Sequence, residues 1–365
     1  MKKKVCSFGI FFLAVISLFG AMKKDKIGDY QKAYRNALYS FDSVEYGKAL
    51  KYAEDAILFR KQQIEYEVET LKNSLASKAV QAAGESITDI LKVLEKRRET
   101  ESINIIRRYL NKKGVAFFDN SISNLMEYMS SLSVFPEAQK LIGDIYKLEG
   151  EYNFAEQYYL MALENASVLD IPNEKYEILY MLAEISKFEE DYESYEVRLL
   201  NILAEDDKYK SSALGDAILN TIKGNSGKSV DKLFSLYRAD SYMSLNAYIQ
   251  LSQYYFDINE LEKALKLSAL AVITSFTKIT ESLESRDLEY SSSTLEKFLQ
   301  ECSLYDDIIQ WGDDNKVWSS FTSFAKIAIA NGYNEFAKEL LQILVKYLPE
   351  PYWQQDAVIT LGKIN

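Results

Sequence analysis

The chain has 365 residues and a formal charge of −11, with 43 Lys and Arg against 54 Asp and Glu, two Cys and no His. The lack of His excludes Ser-His-Asp and Cys-His hydrolases and every His-ligated metal centre. Only 14 Gly and 4 Pro punctuate the chain, and so little turn chemistry argues against a many-stranded sandwich or barrel and for an all-α fold.

The chain opens on Met1-Lys2-Lys3-Lys4, an apolar run from Val5 to Ala21, and then Lys23, Lys24 and Lys26. A positive start, an uncharged core and small residues at Gly20 and Ala21 form the layout of a secretory signal peptide over residues 1–21, cleaved after Gly20 or Ala21. The rival reading is an inner-membrane anchor over residues 5–21, which as a helix would reach about 25 Å. The expected location is therefore exported, periplasmic or envelope-associated, with the anchored form as the alternative. Cys6 stands too early in the apolar run to be a lipid-modified Cys. Cys302, inside the apolar helical pattern Phe298–Leu304, reads as a buried structural thiol.

Charge is uneven. Residues 22–118 hold 19 Lys/Arg and 14 Asp/Glu, whereas residues 119–365 hold 21 and 40. We expect a basic N-terminal helical region over 22–135 and an acidic body over 136–350, with a last helix in 351–365. The acidic body disfavours nucleic acid as a partner, because phosphates would be repelled.

Within the N-terminal region, Ala37, Ala49 and Ala56 mark a helix pair, and Ile57, Ile64, Val68, Leu71, Leu75 and Ala82 form a stripe at helical spacing. The spacing predicts that the second helix runs on to about Ala83, with a turn at Gly84. Another helix is expected from an N-cap at Ser86 as far as Lys113, with Ile87, Ile90, Leu91 and Leu94 on its apolar face. Such a hairpin serves either as a coiled-coil arm, for homo-oligomer formation through the 57–113 helices, or as two stripes that bury each other. The basic clusters Lys96-Arg97-Arg98, Arg107-Arg108 and Lys112-Lys113 either contact an anionic membrane surface or form a solvated face interleaved with Glu95, Glu99 and Glu101.

The strongest signal is an internal repeat. From Leu141 to Leu163, apolar residues recur three and four apart on both sides of Glu149-Gly150-Glu151, giving two amphipathic helices around one turn. Gly143, Ala155 and Ala162 are small residues separated by 12 and then 7, where two helix axes must approach closely. With Tyr146, Gly150, Tyr152 and Tyr159 in register, the stretch 136–169 resembles the tetratricopeptide repeat (TPR), although Ser167 stands where that family closes with proline. The same spacing recurs at Ser252, Ala264 and Ala271, and at Ala325, Ala337 and Leu344. In the latter copy Tyr333 comes one residue early, so a slightly different turn is expected. A degenerate copy at Ala183, Tyr195 and Ile202 carries a bulky Tyr195, which puts close packing of that pair in question. Residues 210–238 form a further divergent pair.

The resemblance implies a TPR-type right-handed α-solenoid of helical hairpins, here with long helical insertions. One insertion is helix 260–285 followed by a helix through Glu289–Gln310, and Tyr352–Gly362 is expected to cover the end of the stack. The resemblance also implies a groove lined by the first helix of each pair. Register places Lys140, Asp144 and Lys147 there, then Tyr180, Glu184 and Lys187, then Gln253 and Phe256, while Gly143, Ala155, Ala162, Ala264, Ala271, Ala325 and Ala337 pack the repeats.

No chemistry motif stands out. Gly224–Ser229 ends in Gly-Lys-Ser, but Ile222 occupies the position where a phosphate loop needs Gly, and a helical pattern precedes it. The Ser291-Ser292-Ser293 run is local polar structure. The pairs Asp206-Asp207, Asp306-Asp307 and Asp313-Asp314 lack calcium-loop spacing and read as solvated charge or helix-end caps. The expected function is a non-catalytic exported scaffold or adaptor that binds a protein or peptide, without cofactor or metal. The alternative is a small-molecule carrier or transport-associated subunit holding ligand within the superhelix.

Overall fold

The computed structural model describes residues 27–224, 228–287, 290–291 and 294–364, and within them the chain is all-α, its helices packed in pairs. The signal or anchor expectation for residues 1–21 lies outside the described residues, as do parts of the Gly224–Ser229 and Ser291–Ser293 segments. Two compact units divide at Pro172 and Asn173.

The first unit begins with a hairpin of α1 (Tyr30–Asp42) and α2 (Tyr46–Leu75). Asp29 caps α1 by accepting the Lys32 N–H at 3.0 Å. After the short α3 (Lys78–Gln81) come α4 (Ile87–Arg97), α5 (Thr100–Lys113) and α6 (Ile122–Ser131), and then a second hairpin, α7 (Pro136–Leu148) and α8 (Tyr152–Glu164). Ser86 does cap α4, accepting the Asp89 N–H. Two expectations are corrected. Helix α2 stops at Leu75 rather than near Ala83, and the helix expected to run from Ser86 to Lys113 breaks at Arg98, which adopts φ 58°. No apolar residue stands between Leu94 and Ile103, so a continuous helix would have nothing to bury there. Folding back instead brings Leu94, Ile103 and Ile106 into one core with Ile64, Val68, Leu71, Leu125 and Met129. The apolar stripes between 64 and 106 are thus buried inside the unit. The loops entering α4 and α6 are paired, with Ile87 N–H bonded to Asn120 O and Ile122 N–H to Glu85 O, both at 2.9 Å.

The 136–164 hairpin belongs to this unit because α7 packs on α2. Arg60 of α2 is buried, donates to Leu132 O at 3.0 Å, and lies over the Phe135 ring at 4.4 Å. Its guanidinium is 3.8 Å from Glu137 of α7, and Glu137 in turn accepts the Asp170 N–H at 2.7 Å. These contacts run across the boundary expected at residues 135/136, so the compact division falls later in the chain.

The second unit holds α9 (Glu174–Phe188), α10 (Tyr192–Leu203), α11 (Asp207–Lys210), α12 (Ser212–Lys223), α13 (Ser229–Leu236), α14 (Leu245–Asp257) and α15 (Leu261–Arg286). It continues with α16 (Leu295–Cys302), α17 (Asp306–Asp314), α18 (Val317–Ala330), α19 (Asn334–Tyr347) and α20 (Pro351–Gly362). Helix α15 is buried on nearly every side from Ala264 to Thr280, with α12, α13, α16 and α18 packed against it. The helix expected over Glu289–Gln310 is instead divided at Ser303–Tyr305 into α16 and α17. Cys302 is a free, fully buried thiol, and burial pushes its pKa well up.

Five hairpins share one turn: α1/α2, α7/α8, α9/α10, α14/α15 and α18/α19. Each reverses through three residues whose middle member is left-handed: Val44 (φ 62°), Gly150 (80°), Glu190 (61°), Asn259 (63°) and Gly332 (81°). The next residue donates its N–H to the carbonyl five positions back. These bonds are Glu45 to Ser40 (2.8 Å), Glu151 to Tyr146 (2.9 Å), Asp191 to Ser186 (2.8 Å), Glu260 to Tyr255 (2.8 Å) and Tyr333 to Ala328 (2.9 Å). This is the Schellman ending, which satisfies carbonyls that a helix C-terminus leaves without partners. In all five hairpins the first spacing residue lies seven before the left-handed one: Ala37, Gly143, Ala183, Ser252 and Ala325. Tyr333 closes the same turn that Glu151 closes, so the altered turn expected there does not occur. Tyr195 is accommodated too, because its side chain is buried between helices and its hydroxyl reaches Gln250 of α14 at 3.1 Å.

Two stability predictions arise from this repeat. Val44 is β-branched yet left-handed, so Val44→Gly is expected to raise stability by about 1 kcal/mol, read as a higher urea midpoint with unchanged slope. At Gly143, an added Cβ would lie 2.8 Å from the Tyr159 ring, whose hydroxyl is anchored on Asp144 at 2.6 Å. With the ring unable to retreat, Gly143→Ala is expected to cost about 1–2 kcal/mol despite the better helix propensity of Ala. A neutral result in urea unfolding would show that the ring shifts freely.

Candidate binding surface

The residues assigned to a groove fall on α7 in the first unit and on α9 and α14 in the second. On α7, Lys140, Asp144 and Lys147 are half-buried. Asp144 accepts the Tyr159 hydroxyl and lies 3.5 Å from Lys140 Nζ, so this carboxylate is engaged within its own hairpin. Tyr146 stacks on Tyr158 with ring centroids 5.7 Å apart and packs against Phe154.

Tyr180 on α9 is half-buried, and its hydroxyl serves two partners. It donates to Met243 O at 2.6 Å and accepts the Ala247 N–H at 3.0 Å, tying α9 to the start of α14. The aromatic residue expected to face a ligand is therefore a strut between helices. Glu184 and Lys187 are exposed on α9, with Lys187 Nζ 5.6 Å from the Tyr195 ring. On α14, Gln253 is exposed and donates to Asp257 at 2.7 Å, while Phe256 is half-buried. Tyr192 and Tyr254 stack at 6.2 Å with an interplanar angle of 12°. Burial pushes the Tyr195 hydroxyl up to about 12. Sequence reasoning missed this tyrosine group, although the Tyr254-Tyr255-Phe256 run could have signalled it.

A second feature escaped the sequence. Asp206 is 3% exposed, and its carboxylate accepts four donors: the backbone N–H groups of Lys208 (2.8 Å) and Tyr209 (3.4 Å), Ser241 Oγ (2.9 Å) and the Tyr248 hydroxyl. The capping reading of Asp206-Asp207 holds for Asp206, but the cap is also the buried junction of α11, α14 and the segment before α14. Asp207 stays exposed beside Lys210. Asp307 forms a two-point pair with Arg286, and the Asp313 carboxyl is pushed up by burial and by Glu350 and Asp314 nearby.

The described residues of the second unit enclose small cavities. One of about 240 Å³ is bounded by Tyr176, Glu205, Asp206, Asp240 and Tyr242. Another of about 200 Å³ is bounded by Ile279, Arg286, Asp307, Ile308 and Trp311. Both are below the ~300–1,000 Å³ of ordinary small-molecule sites. Among the described residues, no group of three or more Asp, Glu, His or Cys is placed to hold a metal ion.

Several members of the basic clusters are engaged by acidic or aromatic side chains. Arg107 pairs with Glu95, Arg108 with Glu67 and Lys112 with Asp170, while Lys113 lies over the Phe117 and Tyr128 rings. Lys96, Arg97 and Arg98 sit at the opposite end of α5, at the turn from α4. No described helix is long and apolar enough to cross a membrane.

Within the described residues the chain is an all-α protein of pairwise-packed helices. No family model matches the chain. It is similar to an uncharacterized protein of Treponema pallidum (strain Nichols), 27% identical over 326 residues, which span 88% of this chain and 87% of that protein.

Proposed function

We propose that this chain is an exported TPR-type scaffold, a right-handed α-solenoid that binds a protein or peptide segment in the cell envelope and carries out no catalysis. The observation that carries the reading is the common register of five hairpins, each with a buried spacing residue seven positions before the same left-handed turn. Hairpins built to one pattern suit stacking on one another within a unit, where the first helices of neighbouring hairpins share a face. The order of packing within each unit supports this. Helix α2 meets α7 in the first unit, while α10 meets α14, α15 meets α18, and α19 meets α20 in the second. Exposed Glu184, Lys187 and Gln253 beside the stacked Tyr192 and Tyr254 suit an extended segment, which needs both hydrogen bonds and side-chain pockets. The lysine-flanked apolar run of residues 5–21 supports export.

The test is affinity capture from cell envelopes with the parent chain and with a Glu184→Lys, Lys187→Glu, Gln253→Arg variant. These positions are exposed, so the variant should melt with the parent. Enrichment of one defined protein by the parent and its loss from the variant is the expected result. Equal capture by both would remove the α9–α14 face from consideration. Tyr180 is unsuitable for this purpose, because its loss would disturb the α9–α14 contact itself.

A further inference from the structure

We propose that the outer face of α20 is a self-association surface through which two copies of this chain pair about a two-fold axis. Helix α20 buries Ala357 and Thr360 and packs against α18 and α19. Its opposite side leaves Tyr352 69%, Val358 42% and Ile359 52% exposed. The one charged residue within Pro351–Gly362 is Asp356, and it is half-buried against Lys326 at 2.7 Å. The outward face therefore carries no charge, in a unit holding 19 Lys/Arg and 31 Asp/Glu over residues 173–365. A helix that ends a stack of helix pairs needs a polar outer side to stay in water. One that is apolar on both sides has the pattern of a helix covered on both sides.

Charge selects a second copy as the cover and sets its direction. Half-buried Glu350 caps the N-terminal end of α20, accepting the Trp353 N–H at 3.0 Å, and exposed Lys363 stands at the C-terminal end, so each helix carries a negative and a positive end. Antiparallel pairing about an axis between Asp356 and Ala357 puts each Glu350 opposite Lys363 of the other copy. The same register sets Gln355 against Val358 and Ile359 against Gln354. Parallel pairing would instead oppose Glu350 to Glu350. A 12-residue helix is about 18 Å long, so this face buries less than the ~800 Å² per partner of stable complexes, and the dimer is concentration-dependent.

Sedimentation velocity of the full chain up to about 500 µM should show a monomer–dimer equilibrium that Ile359→Glu weakens at least ~10-fold and Lys363→Glu weakens less. Parent and variants share one buffer, so association through the apolar segment 5–21 is common to all of them. Both substituted side chains are exposed, and matching far-UV melting curves verify folding. Tyr352→Glu serves as a second disruptor should Ile359→Glu melt early. A chain that is monomeric throughout, or a dimer unaffected by Ile359→Glu and Tyr352→Glu, overturns the proposal. The Glu184, Lys187 and Gln253 variant should dimerise like the parent, which separates this result from the fate of the scaffold reading.

Discussion

Asp206→Ala is expected to destabilise the second unit by about 3–5 kcal/mol, one of the two largest single effects in this protein. The loss has separable parts. Removing a side-chain N-cap costs about 1 kcal/mol, leaving the buried Tyr248 hydroxyl without its acceptor costs about 1–3 kcal/mol, and losing the bond to half-buried Ser241 costs about 1 kcal/mol. Tyr248 is fully buried, so water cannot replace the lost carboxylate there. All three Trp residues, Trp311, Trp318 and Trp353, belong to this unit, so Trp fluorescence reads its unfolding directly. For a unit of this size, each kcal/mol moves the midpoint by about 2–4 °C, which predicts a fall near 10 °C or more. Asp206→Asn keeps an acceptor oxygen and the cap, and should lose only about 1–2 kcal/mol. A loss below 1 kcal/mol for the Ala variant would mean that the junction is not a point of stability.

The second large effect is expected at Arg60 and Glu137 in the first unit. Arg60→Ala leaves the Glu137 carboxylate buried without its cation, and uncompensated buried charge of this kind costs about 3–5 kcal/mol. It also removes a guanidinium packed on Phe135 and its bond to Leu132 O. Glu137→Ala should be comparably harmful, because the Asp170 N–H loses its acceptor as well. Arg60→Met combined with Glu137→Met replaces the pair by apolar groups of similar reach and should cost less than either single Ala change. The readout is far-UV circular dichroism together with hydrogen exchange in α2 and α7. Additive losses in the double variant would mean that the two side chains are not energetically coupled.

How much of the fold was legible varies by element. The hairpins at 136–164 and 317–347 were readable, because the 12-and-7 spacing and the turn lie within about twenty residues and depend on local periodicity. The recurrence of one Schellman turn was only half visible. Gly150 and Gly332 announce it, whereas Val44, Glu190 and Asn259 occupy the same conformation without the usual signal. Gly143, Ala155, Ala162, Ala264, Ala271, Ala325 and Ala337, singled out by that spacing, are each buried. The break at Ser303–Tyr305 was not readable, since a helical pattern continues across it, whereas the polar gap between Leu94 and Ile103 was the one local sign of the break at Arg98.

By itself, the sequence determined that this chain is helical and where the hairpins at 136–164 and 317–347 turn. These are properties of neighbours along the chain, set by side-chain period and by the lack of Gly and Pro. Only the tertiary structure decided where long helices end, that Tyr180 braces two helices, and that Asp206 is a buried junction. It likewise placed the 136–164 hairpin with the N-terminal helices. A helix stops where continuing would bury less apolar surface than turning back, and a polar side chain takes its role from partners tens of residues away. Both depend on contacts that no local pattern records.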